Sequence, residues 1–168
     1  MKIPDPGKYF QEFELEESLL LRVMFYEVSD DLEIVISYAN VGLLPKEPGD
    51  QTKPQEQNSE FRKFLFRKVT NLEKQKVFLK IGNPAAIDYQ SARGQGDQVV
   101  QGVVIKREGS LKWHIEISFG TFGTYSFCFQ DLEVLTRFVN ADPVSEGERV
   151  WKDVETGECV NIYHPFSS

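Results

Sequence analysis

At 168 residues the chain fits a single domain, long enough to bury about 70% of the surface its unfolded form exposes without help from a disulfide or a metal. A hydrophobic share of 40% and a charged share of 27% are those of a soluble globular protein, which argues against a disordered or membrane-spanning chain. The net charge of −7 opposes non-specific binding to DNA, RNA or anionic membranes, and thirteen Phe, six Tyr and two Trp against two Met favour strands.

Met1 to Gly7 contain no apolar signal-peptide core, and no run reaches transmembrane length, so a cytoplasmic location is expected. Pro4-Asp5-Pro6-Gly7 reads as a turn or arm. Phe10, Phe13 and Leu15 begin either a strand or one short helical turn, and Glu12, Glu14, Glu16 and Glu17 between them read as a solvated strand face. Leu19 to Tyr26 is a strand with Leu19, Leu21, Val23 and Phe25 on one face and Leu20, Met24 and Tyr26 on the other. A turn at Ser29-Asp30-Asp31 joins it to a second strand in which Leu32, Ile34, Ile36 and Tyr38 alternate with Glu33, Val35 and Ser37.

Residues 41–60 carry three prolines, two glycines and no apolar period, so composition predicts a polar, flexible insertion. Phe61 to Val69 restarts a strand, with Phe64 and Phe66 on one side and Leu65 on the other. Its interleaved Arg62, Lys63, Arg67 and Lys68 superficially suggest a nucleic-acid surface, but the glycines of an RNA-recognition strand are missing. Cations facing solvent or cross-strand carboxylates suit the acidic chain better. Asn71 to Lys76 is a turn or short helical turn, and Val77, Leu79 and Ile81 a strand. From Ala85 to Asp97 the chain is polar, and its Gly94-Gln95-Gly96 precedes a strand, where a phosphate-binding loop would require a helix. Val99 to Lys106 is that strand. Its Val103-Val104-Ile105 run predicts an interior position in a sheet, and a loop at Glu108-Gly109-Ser110 would pair Trp113 with Ile105 or Val104.

The organising stretch is Leu111 to Phe129. Leu111, Trp113, Ile115, Ile117 and Phe119 alternate with polar residues, as do Tyr125, Phe127 and Phe129. Placing both apolar rows on one face requires an odd loop, Gly120 to Phe122, which pairs Ile117 with Tyr125 and Ile115 with Phe127. Asp131 to Asn140 fits a helix through Leu132, Leu135 and Phe138, or a strand through Leu132, Val134 and Phe138. The strand is preferred because no turn residue interrupts the flow from Phe127, and Asn140 to Pro143 is taken to end it. Val150 to Lys152 and Cys159 to Tyr163 flank Glu155 to Glu158 as a closing hairpin. The sum is a single all-β domain over residues 1–168, an antiparallel sandwich or partly open barrel of eight to ten strands.

The chemistry is sparse. The sequence nominates no catalytic, cofactor-binding or metal-ligating residue. Cys128 and Cys159 match no metal-ligand spacing and read as reduced thiols buried in strands. His114, beside Lys112 and Glu116, reads as a solvent-facing cross-strand partner, and His164 lies beyond the last strand. These features imply a non-catalytic domain that binds another protein as a regulatory or inhibitory partner, with no nucleic acid or membrane involved. A sheet edge also offers a route to a homodimer. The competing readings are a small-molecule-binding barrel lined by aromatics and a hydrolase built from dispersed carboxylates.

Overall fold

The computed structural model describes residues 1–13, 15–16, 18–38, 58–74, 85–86, 99–119, 123–145, 148–161 and 164–166. Its elements are β1 (Lys2–Ile3), α1 (Pro6–Glu12), β2 (Leu19–Tyr26), β3 (Asp31–Tyr38), β4 (Asn58–Arg67) and β5 (Thr70–Lys74). There follow β6 (Ala85–Ala86), β7 (Val100–Glu108), β8 (Lys112–Phe119), β9 (Gly123–Phe129), β10 (Asp131–Ser145) and β11 (Glu148–Asp153). Two antiparallel sheets stack as a sandwich, not a closed barrel. One has seven strands, in the order β1-β10-β4-β3-β2-β6 with β11 on the later part of β10; the other has four, in the order β5-β9-β8-β7.

The hairpin of β8 and β9 pairs Ile115 with Phe127 and Ile117 with Tyr125, the register that the two apolar rows dictate. Their partners across the sandwich come from alternate positions of β2, β3, β4 and β10. Leu32, Ile34, Ile36, Phe64, Phe66, Leu132 and Val134 are all buried there. Phe66 lies edge-on to Phe127 and Phe129, with ring centroids 4.9 and 5.0 Å away. Such pairs add about 0.5–1.5 kcal/mol each to the burial of their area.

Local chemistry explains where the fold departs from the sequence pattern. At the start of the chain, Asp5 accepts from the Lys8 amide at 3.0 Å and Pro6 occupies the first helical position, so Pro6–Glu12 is a helix: the helical alternative holds at Phe10, and Pro6 and Gly7 belong to it and not to a turn or arm. Glu12 closes that helix and Glu16 lies in a turn, both exposed; Glu14 and Glu17 lie outside the described residues. Glu12 and Glu16 therefore do not line a strand face. In β2 the register shifts between Leu20 and Arg22, and this bulge moves Leu20 onto the core face with Val23 and Phe25 and turns Leu21 to the opposite side. Strict alternation had put Leu20 opposite Val23.

β7 differs most from expectation. Gly109 takes φ 75°, so the turn is Gly109-Ser110-Leu111 and Trp113 pairs with Arg107, with neither Ile105 nor Val104. Leu111 is consequently an exposed turn residue outside the apolar row, and Trp113 is half-buried against α1. Among the described residues β7 stands at the edge of its sheet, where an interior position was expected, and Val104 is 61% exposed. Elsewhere, β4 starts at Asn58, so residues 58–60 belong to a strand, while 41–57 lie outside the described residues. Asn71 to Lys74 is strand β5 and not a turn, the strand expected at Val77 to Ile81 lies outside the described residues, and Ala85–Ala86 pairs with β2. The Asp131–Asn140 segment is a strand, as preferred, and runs on through Pro143 to Ser145 because β11 pairs with that extension, where the register shifts. Of the closing hairpin, the described residues show a bridge between Lys152 and Cys159 and a bond from the Val160 amide to the Trp151 carbonyl, with Gly157 at φ 73°; Ile162 and Tyr163 lie outside them.

The seven-stranded sheet is covered on both faces. Leu21, Val35, Phe61, Val139 and Val160 form a second cluster on its outer side, with Trp151 and Phe166 packed against it.

Candidate functional site: an outer-face cleft and an open sheet edge

Sequence alternation puts polar residues of β2, β3, β4 and β10 on the outer face of the seven-stranded sheet, where register arranges them in rows. One row is Tyr26, Asp31, Arg67 and Asp131; the next is Met24, Glu33, Leu65 and Glu133; a third is Arg22, Val35, Lys63 and Leu135. Most of the charges neutralise one another. Arg67 donates to Asp31 Oδ2 at 2.7 Å and lies 3.3 Å from Glu133, and hydrogen bonds to Asp31 and then Glu133 hold its guanidinium pKa above the usual value. Arg137 donates to Asp153 Oδ2 at 2.6 Å and to the Pro165 carbonyl at 2.7 Å, which fixes the segment 164–166 over this face.

Between that segment and the strands lies a cleft of about 200 Å³. Val35, 3% exposed, is its floor, and Arg22 and Lys63 are its walls on either side. Tyr26 and Glu33 form one end, with the Tyr26 hydroxyl donating to Glu33 Oε2 at 3.2 Å. Burial, and then the Glu33 carboxylate, raise the Tyr26 pKa, so this phenol stays a donor at neutral pH. His164, Pro165 and Phe166 form the rim.

The two cations are weakly engaged. Arg22 Nε stands 3.6 Å from Glu33 Oε1, too far for a hydrogen bond, and is buried without a hydrogen-bond partner. Its Nη2 donates to the Met24 sulfur at 3.2 Å, a poor acceptor. Among the described residues Lys63 makes no ion pair or hydrogen bond, and its ammonium sits 5.4 Å from the centre of the Phe166 ring.

The residues weighed in the sequence are scattered. His114 bonds through Nε2 to Ser126 Oγ at 2.9 Å, so it has a cross-strand partner, a hydroxyl, and is half-buried, not fully solvent-facing. It stands opposite Cys128 on the outer face of the four-stranded sheet, whereas His164 lies in the segment over the outer face of the seven-stranded one. Cys128 is buried, and its thiol donates to Glu108 Oε2 at 3.0 Å. Burial and that carboxylate push its pKa up, which disfavours the nucleophilic thiolate. Cys159 is exposed, contrary to the expectation of a second buried thiol; both cysteines are free. Two of the basic residues of β4 meet carboxylates: Arg67 meets Asp31 and Glu133, and Arg62 pairs with Glu60 while lying 3.4 Å over the Phe13 ring, whereas Lys63 faces the Phe166 ring. Among the described residues no group of three or more His, Cys, Asp or Glu could hold a metal ion. The interior between the sheets is filled by Phe119, Tyr125, Phe127 and Phe129, which leaves the aromatic row as packing and not as the lining of a barrel lumen.

Arg22 and Glu33 stand out by no motif in the sequence, and Lys63 stands out only as one of the cations interleaved with the phenylalanines of β4. The available signal was a charged residue within a mostly apolar strand, Arg22 as the one charge of LLLRVMFY and Glu33 beside the terminal Asp31 in DLEIVISY.

The second candidate is the free side of β7. Among the described residues no strand pairs with it, and a side chain added at Gly102 would meet nothing within 4 Å. Val103 and Ile105 lie half-buried along this edge, and Lys106 and Arg107 follow them, exposed. Family models, curated proteins and solved structures contain no match to this chain.

Proposed function

We propose that this chain is a non-catalytic protein-binding domain that takes an extended segment of a different protein along the open edge of β7. The observation that carries the reading is the edge of β7 beyond Val100, whose own amide already donates to the Ser18 carbonyl, where Val103 and Ile105 complete only half of their burial. An added strand satisfies the free backbone groups and covers both side chains, and apolar residues at alternate positions of the incoming segment extend the core. Lys106 and Arg107 then favour a carboxylate toward one end of that segment. The engagement of Asp31, Glu133, Glu60 and Asp153 by arginines supports a binding role over hydrolysis, since those carboxylates are committed to structure.

The test uses a partner captured from the native host and its complex in amide hydrogen exchange. Protection should rise at residues 102–107, and Ile105→Lys, an inward-pointing charge on an edge, should weaken binding at least tenfold with the fold retained. Protection elsewhere, or unchanged affinity in the variant, would refute the reading. A homodimer that the same substitution dissolves would assign the edge to a second copy and overturn the choice of a different protein.

A further inference from the structure

The outer-face cleft has a different character from the β7 edge. In its row, Arg22 and Lys63 flank Val35, and neighbouring strands lie about 4.8 Å apart, so the two cationic residues stand roughly 10 Å from each other across β3. Valine is too short to fill the space between two such long side chains. The gap is therefore built into the register, with an apolar floor, a cation at each side and Phe166 over the top. Its 200 Å³ falls below the roughly 300–1,000 Å³ of pockets for drug-sized ligands, so it suits a fragment-sized molecule.

Charge selects the ligand class. Two cations face one carboxylate, Glu33, on a chain whose net charge is −7. Glu33 already accepts from Tyr26 on its other oxygen, so it is a fixed strut beside Arg22 and not a free site for a cation. What the cleft lacks is acceptors: beyond the 3.6 Å ion pair of its enclosed Nε with Glu33, the Arg22 guanidinium has only a thioether on Nη2, and the Lys63 ammonium has a ring face. Adjacent N–H groups of a guanidinium match two oxygens of a carboxylate or phosphate.

We propose that this cleft binds a small molecule through an oxyanion group, carboxylate or phosphate, held between Arg22 and Lys63 above Val35. The sheet supplies the site's rigidity, and the segment 164–166, tethered by Arg137, supplies its cover.

Isothermal titration calorimetry at low ionic strength, with inorganic phosphate in one arm and succinate in the other, tests this directly. At least one ion should bind saturably at one site, with a dissociation constant on the order of 0.1–1 mM for so few atoms. The tighter arm names the class. Lys63→Gln should weaken it at least tenfold, and Val35→Met, which fills the gap and keeps every charge, should abolish it. Lys106→Gln, on the other sheet, should leave it unchanged. Absence of saturable binding in both arms overturns the proposal, as does equal weakening by Lys63→Gln and Lys106→Gln, or indifference to Val35→Met in a variant that melts like wild type.

Discussion

Gly7→Ala sets two opposing effects against each other, and the structure decides between them. Alanine inside a helix is ordinarily better than glycine by about 0.5–1 kcal/mol, because it restricts the unfolded chain. At Gly7, however, an added Cβ would lie 2.6 Å from Cζ3 and 2.9 Å from Cη2 of Trp113. Carbon atoms settle near 3.5–4.0 Å, so the overlap is about 1 Å against two atoms of a flat, rigid ring. Relieving it means lifting α1 from the sandwich or turning Trp113, and overpacking of this kind costs about 1–3 kcal/mol. The net expectation is destabilisation of about 1 kcal/mol, which lowers Tm by roughly 2–4 °C for a chain of this size. The diagnostic is a sign reversal. In a Trp113→Leu background the ring is gone, and Gly7→Ala should then raise stability by about 0.5 kcal/mol or more. Chemical denaturation of the four proteins of this cycle isolates the coupling. If Gly7→Ala stabilises the wild-type chain, α1 does not pack on Trp113 as described and the reasoning fails.

Three further outcomes are expected. Tyr125 is fully buried with its hydroxyl lacking a partner, and Tyr125→Phe should raise stability by about 1 kcal/mol in urea unfolding. Burial pushes the Tyr125 pKa to about 12, above its ordinary 10, so the wild type should lose stability as pH climbs from 10 toward 12 and Tyr125→Phe should lose less of it. The Asp153 carboxyl is held below its usual pKa by the Thr156 amide first and then by Arg137. Its contribution is therefore present above about pH 3.9 and lost as pH falls through the lower folded value, and Asp153→Asn should flatten the acid limb of a Tm-against-pH profile. A thiol reagent such as DTNB at pH 8 should label Cys159 rapidly and Cys128 slowly, and Cys159→Ser should remove the fast phase.

The β8–β9 hairpin was legible because two strictly alternating apolar rows leave one register that buries both. β10 was readable as a strand for a related reason, since the chain passes from Phe129 into it with no turn residue to redirect it. The bulge at Leu21 was not legible, because a run apolar on both faces carries no phase information, and the outer cluster of Leu21, Val35 and Phe61 decides the matter only after the sheet forms. The same ambiguity misplaced β7: Val103-Val104-Ile105 looks two-sided, yet Val104 faces solvent. Asp5 and Pro6 did carry a helix-start signal, which the short apolar spacing after them obscured. The cleft depends on Arg22 and Lys63 sharing a row two strands apart. No local pattern records that, because the pairing of β2, β3 and β4 is a long-range outcome.

The two-sided burial of the seven-stranded sheet has a consequence for how the chain is made. The outer cluster is completed by Trp151, Val160 and Phe166, all of which follow every strand they cover. Synthesis proceeds from the N-terminus, so a nascent chain can close the sandwich around Phe66 and Phe127 while Leu21, Val35, Phe61 and Val139 still face water. That bare apolar face is the surface on which chaperones and premature aggregation compete. Quality control on this protein should accordingly be sensitive to stop codons or frameshifts after Ser145, even though such products retain the main core.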